Sequence, residues 1–147
     1  MNYLDTFKKK KIIITGHTGF KGSWLTLCLK YLGAEVLGIS KDIPTKPSHF
    51  TASRVYKGIK SRKFNIKNFK KLKKTISQFK PDYVFHLAAQ SLVNTSYKNP
   101  QDPWETNLLG TINVLESIRY LNKKVVVVII TSDKAYKNVE KKEGYKE

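Results

Sequence analysis

The feature that most constrains the fold is a glycine-spaced segment near the start of the chain, GHTGFKG at residues 16–22. It follows a β-branched run, Lys11 to Thr15, and precedes apolar residues at helical spacing. Glycine at every third position allows a tight turn and a close approach of backbone to phosphate, and the start of a helix attracts negative charge. The segment predicts a dinucleotide-phosphate site, the alternative being a purely structural turn. The predicted contacts are Gly16, Thr18, Gly19, Phe20, Lys21 and Gly22.

Apolar runs of strand length alternate with helical patterns along the chain. The predicted strands are Lys11 to Thr15, Glu35 to Ile39, Lys63 to Ile66, Asp82 to His86 and Val125 to Thr131. This alternation is typical of an α/β fold, and right-handed crossovers predict a Rossmann-like, doubly wound parallel sheet of about five strands in the order 3-2-1-4-5. The fifth run is apolar throughout, which predicts a central strand covered on both faces. We expect one domain over residues 1–147, incomplete because full dinucleotide folds add a further strand.

Three helices are predicted from the spacing of apolar residues. Their expected buried faces are Trp24-Leu27-Cys28-Tyr31-Leu32, Phe69-Leu72-Ile76-Phe79 and Trp104-Leu108-Ile112-Leu115-Ile118. Gly33 lies where a helix-ending glycine belongs. Residues 41–61 contain two prolines and no clear period, so we predict that most of this stretch is loop.

The net charge is +17, from 28 Lys and Arg against 11 Asp and Glu. Such a charge raises nucleic-acid binding as a hypothesis. Only three of the basic residues are Arg, the residue that supplies the forked contacts of dedicated sites, and the lysines are spread along the chain. We therefore favour solvated lysine faces that help to attract a dinucleotide or a sugar nucleotide, and keep nucleic-acid binding as a minor alternative.

Other classes of protein find little support in the sequence. No window has the roughly 18 apolar residues of a membrane span, and the first residues lack the features of a signal peptide. The single cysteine, Cys28, cannot form an internal disulfide, which fits a reducing, cytoplasmic setting. No Cys/His cluster indicates a metal site. The sequence therefore favours a cytoplasmic protein without a metal or a membrane partner.

An acidic residue follows the second predicted strand. In dinucleotide sites an acid about 20 residues beyond the glycine segment binds the ribose hydroxyls, and Asp42 lies at that distance. An acid repels a 2′-phosphate, so Asp42 favours NAD over NADP. The alternative is a carboxylate that only caps the loop.

Five motifs together resemble the CDP-glucose 4,6-dehydratases of the extended short-chain dehydrogenase/reductase superfamily. They are GHTGFKGSW from Gly16, FHLAAQ from Phe85, Ser96-Tyr97, Thr106-Asn107 and TSDKAY from Thr131. A first glycine motif and HLAA occur across the superfamily, whereas the GHTGFKGSW form, the Gln after HLAA and Thr-Ser-Asp-Lys are more specific. Thr-Asp-Glu at the last motif would point to dTDP-glucose relatives, and Lys134 points instead to the CDP-glucose enzymes.

The resemblance implies a reaction and a set of catalytic residues. The family converts CDP-glucose to a 4-keto-6-deoxy sugar nucleotide, by NAD-mediated hydride transfer and loss of water, in deoxysugar and surface-polysaccharide synthesis. Thr131 would hydrogen-bond the C4 hydroxyl, Asp133 would protonate the leaving C6 hydroxyl, and Lys134 would orient the same region. Asn107 matches the superfamily's helix-distorting asparagine. The alternatives are an ordinary strand-ending turn at Thr131 and a satisfied interior helix residue at Asn107.

The resemblance also implies further cofactor contacts. Backbone groups next to the nicotinamide and its ribose would come from Leu87, Ala88, Ala89 and Gln90. Asn65 and Ile66 belong to the segment that contacts the adenine, although Asn65 stands where the family usually has an acid. His17 and His86 are assigned no chemistry.

One part of the family pattern is absent. The superfamily's catalytic Tyr-x-x-x-Lys pair should follow the Thr131 motif, but the matches at Tyr56 and Tyr120 lie in the wrong places. The resemblance therefore implies the amino-terminal, NAD-binding part of a longer and commonly homodimeric enzyme, without its sugar-nucleotide-binding domain and inactive alone. The alternatives are a stand-alone NAD-binding module and another nucleotide-sugar epimerase or dehydratase.

Overall fold

The structure is a computed structural model that describes residues 5–132, 137, 139–140 and 143–144. Among these residues, five parallel strands form one sheet in the order β3-β2-β1-β4-β5. They are β1 (Lys11–Thr15), β2 (Glu35–Ser40), β3 (Lys60–Lys63), β4 (Tyr83–His86) and β5 (Val126–Ile129). This confirms the predicted Rossmann-like order, which reverses between β1 and β4.

Helices connect the strands and cover both faces of the sheet. They are α1 (Phe20–Tyr31), α2 (His49–Ala52), α3 (Phe69–Phe79), α4 (Val93–Lys98), α5 (Gln101–Pro103) and α6 (Gly110–Arg119). Residues Trp104–Leu109, between α5 and α6, form a π-helical segment. Helix α1 packs on one face of the sheet, and α3 and α6 pack together on the other.

Strand β1 lies at the centre of the core. Ile12 and Ile14 face the α1 side with Leu29, whereas Ile13 faces the α3 side with Leu72. All three isoleucines are fully buried, as expected for a strand whose side chains alternate between two covered faces. The turn that follows β1 is therefore anchored to a strand that is held on both faces by buried side chains.

Helix α1 contradicts its predicted buried face. Its buried residues are Gly22, Ser23, Thr26 and Leu29. The side chains of Trp24, Cys28 and Tyr31 are exposed instead, Tyr31 by 89%. Small side chains let this helix approach the turn closely, so the face that touches the sheet is not its most apolar face. Core packing of Trp24 and Cys28 was therefore a wrong prediction.

Helices α3 and α6 give opposite outcomes for the same kind of prediction. α3 buries Leu72, Ile76 and Phe79, which confirms its predicted face. The predicted long helix from Trp104 is interrupted by the π-helical segment, and its expected face is largely exposed. The exposed residues are Trp104, Leu108, Ile112 and Leu115. α6 buries Gly110, Val114 and Ser117 instead.

Strand β3 and the stretch before it differ from the prediction. β3 lies at Lys60–Lys63 and all of its residues are exposed. Because these residues are exposed, no apolar run marks the strand. Among the described residues it pairs with β2 alone, and Ile66 packs in the core beyond its end. Residues 41–61 include the short helix α2, whose N-cap Ser48 accepts a hydrogen bond from the Thr51 N–H at 3.2 Å.

Strand β5 is shorter and more exposed than predicted. It ends at Ile129, before Thr131, and Val126 is 52% exposed. Within the described part of the chain, β5 pairs with β4 alone. The prediction of a strand covered on both faces is therefore wrong for these residues.

Candidate functional site

The candidate site lies at the carboxyl ends of β1 and β4, between which the strand order reverses. The glycine turn, residues 16–22, leaves β1, and residues 87–90 leave β4. Gly16 has a φ of +75°, and a Cβ on it would come within 2.8 Å of the Ala88 backbone nitrogen. The two segments therefore form one surface, in the crevice where ligands bind to sheets of this kind.

The glycines of the turn meet different requirements. Gly16 and Gly22 are demanded by the chain itself, because a Cβ on Gly22 would overlap the carbonyl oxygen of Gly16. Gly19 has a φ of −70°, which any residue adopts. Within the described part of the chain, a Cβ on Gly19 would meet only the Gly16 carbonyl oxygen, at 3.4 Å. The bare Cα of Gly19 therefore leaves room for a group from outside the described chain.

The start of α1 presents backbone N–H groups beside Gly19. Gly19 is the N-cap, and no side chain of the described residues caps the helix there. The Ser23 N–H donates to the Gly19 carbonyl oxygen at 2.8 Å, so the N–H groups of residues 20–22 precede the helical ladder. The first turn carries no acidic residue, and Lys21 is exposed. This end of the helix suits a phosphate group.

Thr18 joins the glycine turn to the loop after β2. Its backbone N–H donates to Ser40 Oγ at 3.3 Å, and its hydroxyl donates to the Asp42 carbonyl oxygen at 2.6 Å. These bonds hold the Asp42 backbone beside the turn, while the residue as a whole is exposed.

His17 is buried beneath the turn. Its Nδ1 lies 2.8 Å from Ser40 Oγ, and its Nε2 lies 2.8 Å from Ser61 Oγ. Gly38 makes room for the ring, since a Cβ there would overlap it. Burial lowers the pKa of His17 to about 4, so the ring is neutral at neutral pH. His17 ties β2 and β3 to the turn, and its ring is buried away from the surface.

Asn107 holds the segment that follows β4. Its Oδ1 accepts a hydrogen bond from the Gln90 N–H at 2.7 Å, and its Nδ2 donates to the Gln90 carbonyl oxygen at 2.9 Å. Asn107 lies in the π-helical segment, a distortion that often occurs at functional sites. Its contact is with backbone, so its role in this structure is to position Gln90.

The predicted adenine contacts are partly used within the chain. Asn65 Oδ1 accepts a hydrogen bond from the Lys67 N–H at 3.0 Å. Ile66 is buried in the core, and its carbonyl oxygen accepts from Asn113 Nδ2 at 3.1 Å. The Ile66 side chain is therefore not available to a cofactor.

Two of the four predicted catalytic residues, Asn107 and Thr131, lie within the described residues. Thr131 is exposed and follows β5 instead of ending it. It lies near the end of β4, because the neighbouring Ile130 N–H donates to the His86 carbonyl oxygen at 3.0 Å. Asp133 and Lys134 lie outside the described residues.

A buried hydrogen-bonded chain behind this site was not predicted from the sequence. His86 Nδ1 lies 2.6 Å from Thr15 Oγ1, and His86 Nε2 lies 2.9 Å from Thr111 Oγ1. The Ala88 N–H donates to Thr15 Oγ1 at 3.2 Å. The available signal was a threonine and a histidine that end neighbouring parallel strands, where the register pairs Thr15 with His86.

Two other features are absent from the part of the chain that the structure describes. The described residues contain no group of three or more His, Cys, Asp or Glu side chains that could hold a metal ion. In the same part of the chain, no helix has the length and hydropathy that crossing a bilayer requires.

Comparison with known proteins identifies the family. The family model described as GDP-mannose 4,6 dehydratase matches residues 13–147. The chain belongs to this family. It is 46% identical over 138 residues to the CDP-glucose 4,6-dehydratase of Salmonella typhimurium, which covers 94% of this chain and 38% of that protein. The chain thus spans less than half the length of that relative.

Solved structures of related proteins share the fold. An epimerase from Methanothermobacter thermautotrophicus superposes with a TM-score of 0.81 at 28% identity, covering 99% of this chain and 42% of that one. A Thermus thermophilus UDP-glucose 4-epimerase in complex with NAD superposes with a TM-score of 0.65 at 30% identity, covering 74% of this chain and 33% of that one. The fold of the dehydratase and epimerase family is therefore present here.

Proposed function

We propose that this chain forms the NAD-binding domain, residues 1–147, of a nucleotide-sugar 4,6-dehydratase that acts on CDP-glucose. The observation that carries the proposal is the glycine turn, in which contacts within the chain require Gly16 and Gly22 but not Gly19. The identity to a CDP-glucose 4,6-dehydratase supports the reaction and the substrate. A relative in complex with NAD supports the cofactor.

NAD fits the residues at this edge of the sheet. Its pyrophosphate would lie over Gly19, against the N–H groups at the start of α1, with Lys21 nearby. Asp42, held beside the turn by Thr18, would bind the adenosine ribose. The nicotinamide and its ribose would lie along residues 87–90, and the adenine would lie near Asn65.

The catalytic residues act around the hexose of the substrate. NAD, when bound, supplies the hydride acceptor and donor of the reaction. Thr131 holds the C4 hydroxyl, and Asp133 delivers a proton to the leaving C6 hydroxyl, which requires a carboxyl pKa raised toward neutral. Lys134 orients the same region. Asn107 acts behind them by fixing the backbone of Gln90.

The remaining parts of the proposal concern the whole enzyme. The sugar nucleotide would be bound by a further domain, and the enzyme would be a cytoplasmic homodimer. The exposed apolar residues of the π-helical segment and α6 are suited to the dimer interface. They are Trp104, Leu108, Ile112 and Leu115.

Gly19→Ala tests the cofactor site. The backbone at Gly19 accepts alanine, and exchanging a glycine N-cap for alanine costs no more than about 1 kcal/mol, so the fold should be kept. The new methyl group would, however, occupy the position of the pyrophosphate. NAD affinity, measured by calorimetric titration, should fall by at least about tenfold, which corresponds to about 1.4 kcal/mol. Gly144→Ala is the matched control, because a Cβ on Gly144 would meet nothing within 4 Å among the described residues. Unchanged NAD affinity in Gly19→Ala would contradict the proposed site.

The substrate is tested on the whole enzyme of which residues 1–147 form the proposed NAD-binding domain. CDP-glucose, dTDP-glucose and GDP-mannose are offered separately, and loss of water from the sugar is followed by mass spectrometry. Conversion of CDP-glucose with the highest kcat/KM is expected. A preference for either of the other two would overturn the substrate, and NAD binding without any conversion would favour a non-catalytic NAD-binding module.

A further inference from the structure

We infer that His86 is a positioning residue of the NAD site, which acts through Thr15 and Thr111 on the backbones of Ala88 and Asn107. The inference rests on the proposed function, because residues 87–90 are the proposed nicotinamide contact. His86 itself is buried and bonds to the two threonines, so it acts through other residues.

The donors and acceptors in this series of hydrogen bonds can be assigned one after another, starting from Thr111. The Thr111 hydroxyl donates to the Asn107 carbonyl oxygen at 2.6 Å, so its oxygen is free to accept from His86 Nε2–H at 2.9 Å. With the proton on Nε2, Nδ1 accepts from the Thr15 hydroxyl at 2.6 Å. The Thr15 oxygen then accepts the Ala88 N–H at 3.2 Å. Each proton of the chain thereby has one acceptor.

This order exists only while the ring is neutral. A protonated His86 would donate from both nitrogens, and the Thr15 hydroxyl proton would lose its acceptor. Burial lowers the pKa of His86 to about 4, which keeps the neutral form at neutral pH. Since Thr15 is also fully buried, a lost partner would not be replaced by bulk water.

These hydrogen bonds connect three elements that meet at the site. Thr15 ends β1, His86 ends β4, and Thr111 lies in α6 just beyond the π-helical segment. The Thr111 hydroxyl bonds to the Asn107 backbone, and the Asn107 side chain in turn bonds to the Gln90 backbone. The backbone proposed to receive the nicotinamide is therefore held at two points, Ala88 and Gln90.

The ring nitrogens of His86 give a direct test. In a nitrogen-15 spectrum of the labelled chain, assigned by the loss of its signals in His86→Phe, His86 should carry its proton on Nε2 and show an unprotonated Nδ1. This state should persist from neutral pH to below the ordinary histidine pKa of about 6.5. A proton on Nδ1, a mixture of the two tautomers, or titration near the ordinary pKa would overturn the proposed order.

Substitutions at Thr111 test the effect on NAD. Thr111→Val keeps the volume and removes the hydroxyl, and Thr111→Ser keeps the hydroxyl and removes a methyl group. We expect NAD affinity to fall about fivefold to tenfold in Thr111→Val and to stay within about twofold in Thr111→Ser. A packing role alone would give the reverse order. Thr75→Val is the control, because the Thr75 hydroxyl also donates to a helix carbonyl four residues back, at 2.8 Å.

The outcomes separate this inference from the proposed function. Equal NAD affinity in Thr111→Val and Thr111→Ser, with normal binding by the unchanged chain, would overturn the role of His86 alone. No NAD binding by the unchanged chain would overturn the proposed function and this role together. If Thr111→Val does not fold, the ring spectrum of the unchanged chain decides, since that measurement needs no variant at Thr111.

Discussion

Helices α1 and α3 cover opposite faces of the same sheet in different ways. The buried residues of α1 are Gly22, Ser23, Thr26 and Leu29, and Leu29 is the one large apolar side chain among them. α3 contributes Leu72, Ile76 and Phe79 to the larger of the two apolar clusters. Beneath the start of α1 lies His17, bonded at both ring nitrogens.

The two faces of the sheet are therefore stabilised in different ways. Burial of apolar area on the α3 side contributes free energy without demanding an exact atomic arrangement. The α1 side brings the helix close to the strands with small residues and fixes polar atoms one by one, each bond contributing little by itself. The proposed pyrophosphate position, at the start of α1, therefore lies on the side with the smaller apolar cluster.

The largest expected effect comes from the same substitution made on both helices. Leu72→Ala should lower the free energy of unfolding by about 3–4 kcal/mol, and Leu29→Ala by about 2–3 kcal/mol, because Leu72 lies in the larger cluster. Urea unfolding measures both values. An equal or larger loss in Leu29→Ala would show that the two faces contribute alike.

Acid should weaken the α1 side through His17. Its pKa is about 4 in the folded chain against an ordinary 6.5, so between these values the unfolded chain binds more protons and stability falls as pH is lowered. From pH 7 to pH 5 this histidine alone should cost about 2 kcal/mol. Urea unfolding across this range should show a smaller decrease in His17→Asn. Parallel pH profiles for the two chains would contradict the assignment.

The smallest expected effect is at a contact that joins the segment before α3 to α5 and the π-helical segment. Lys67 Nζ lies 2.8 Å from Asp102 Oδ1 and 2.7 Å from Glu105 Oε2. The hydrogen bond from Lys67 lowers the pKa of Asp102, so this stabilisation exists above the ordinary Asp value and is lost as pH falls through the folded one. Asp102→Asn should cost about 0.5–1 kcal/mol at neutral pH, and this cost should shrink as the pH falls below the ordinary Asp pKa.

Glu116→Gln is the control for this last experiment, because Glu116 pairs with Arg119 on the exposed surface of one helix. Its effect on urea unfolding should be smaller than that of Asp102→Asn. A larger effect for Glu116→Gln would show that the Lys67 contact does not contribute to stability by joining these segments.

The features that could be predicted from the sequence have local causes. The glycine turn follows from residues within one strand–turn–helix unit, and α3 follows from an apolar period that coincides with its buried face. The strand order follows from the alternation of elements and the handedness of crossovers. None of these depends on knowing how distant segments approach each other.

The features that were missed depend on distant segments. The buried face of α1 is decided by the close approach of Gly22 to Gly16, so Trp24 and Tyr31 point outward although their spacing is helical. β3 carries no apolar run because all four of its residues are exposed, and its pairing with β2 is what defines it. The His86 chain needs the register of two strands that lie far apart in sequence.

The π-helical segment Trp104–Leu109 has a consequence for length changes in this part of the chain. A π turn bonds residues five apart, so it holds one residue more than an α turn. Deleting one residue there would let the helix continue regularly into α6, but each residue turns an α-helix by about 100°. The shift in phase would swing Asn107 away from Gln90. A regular α-helix and the contact between Asn107 and Gln90 are therefore incompatible in this segment, and a single-residue deletion would exchange the contact for the regular helix.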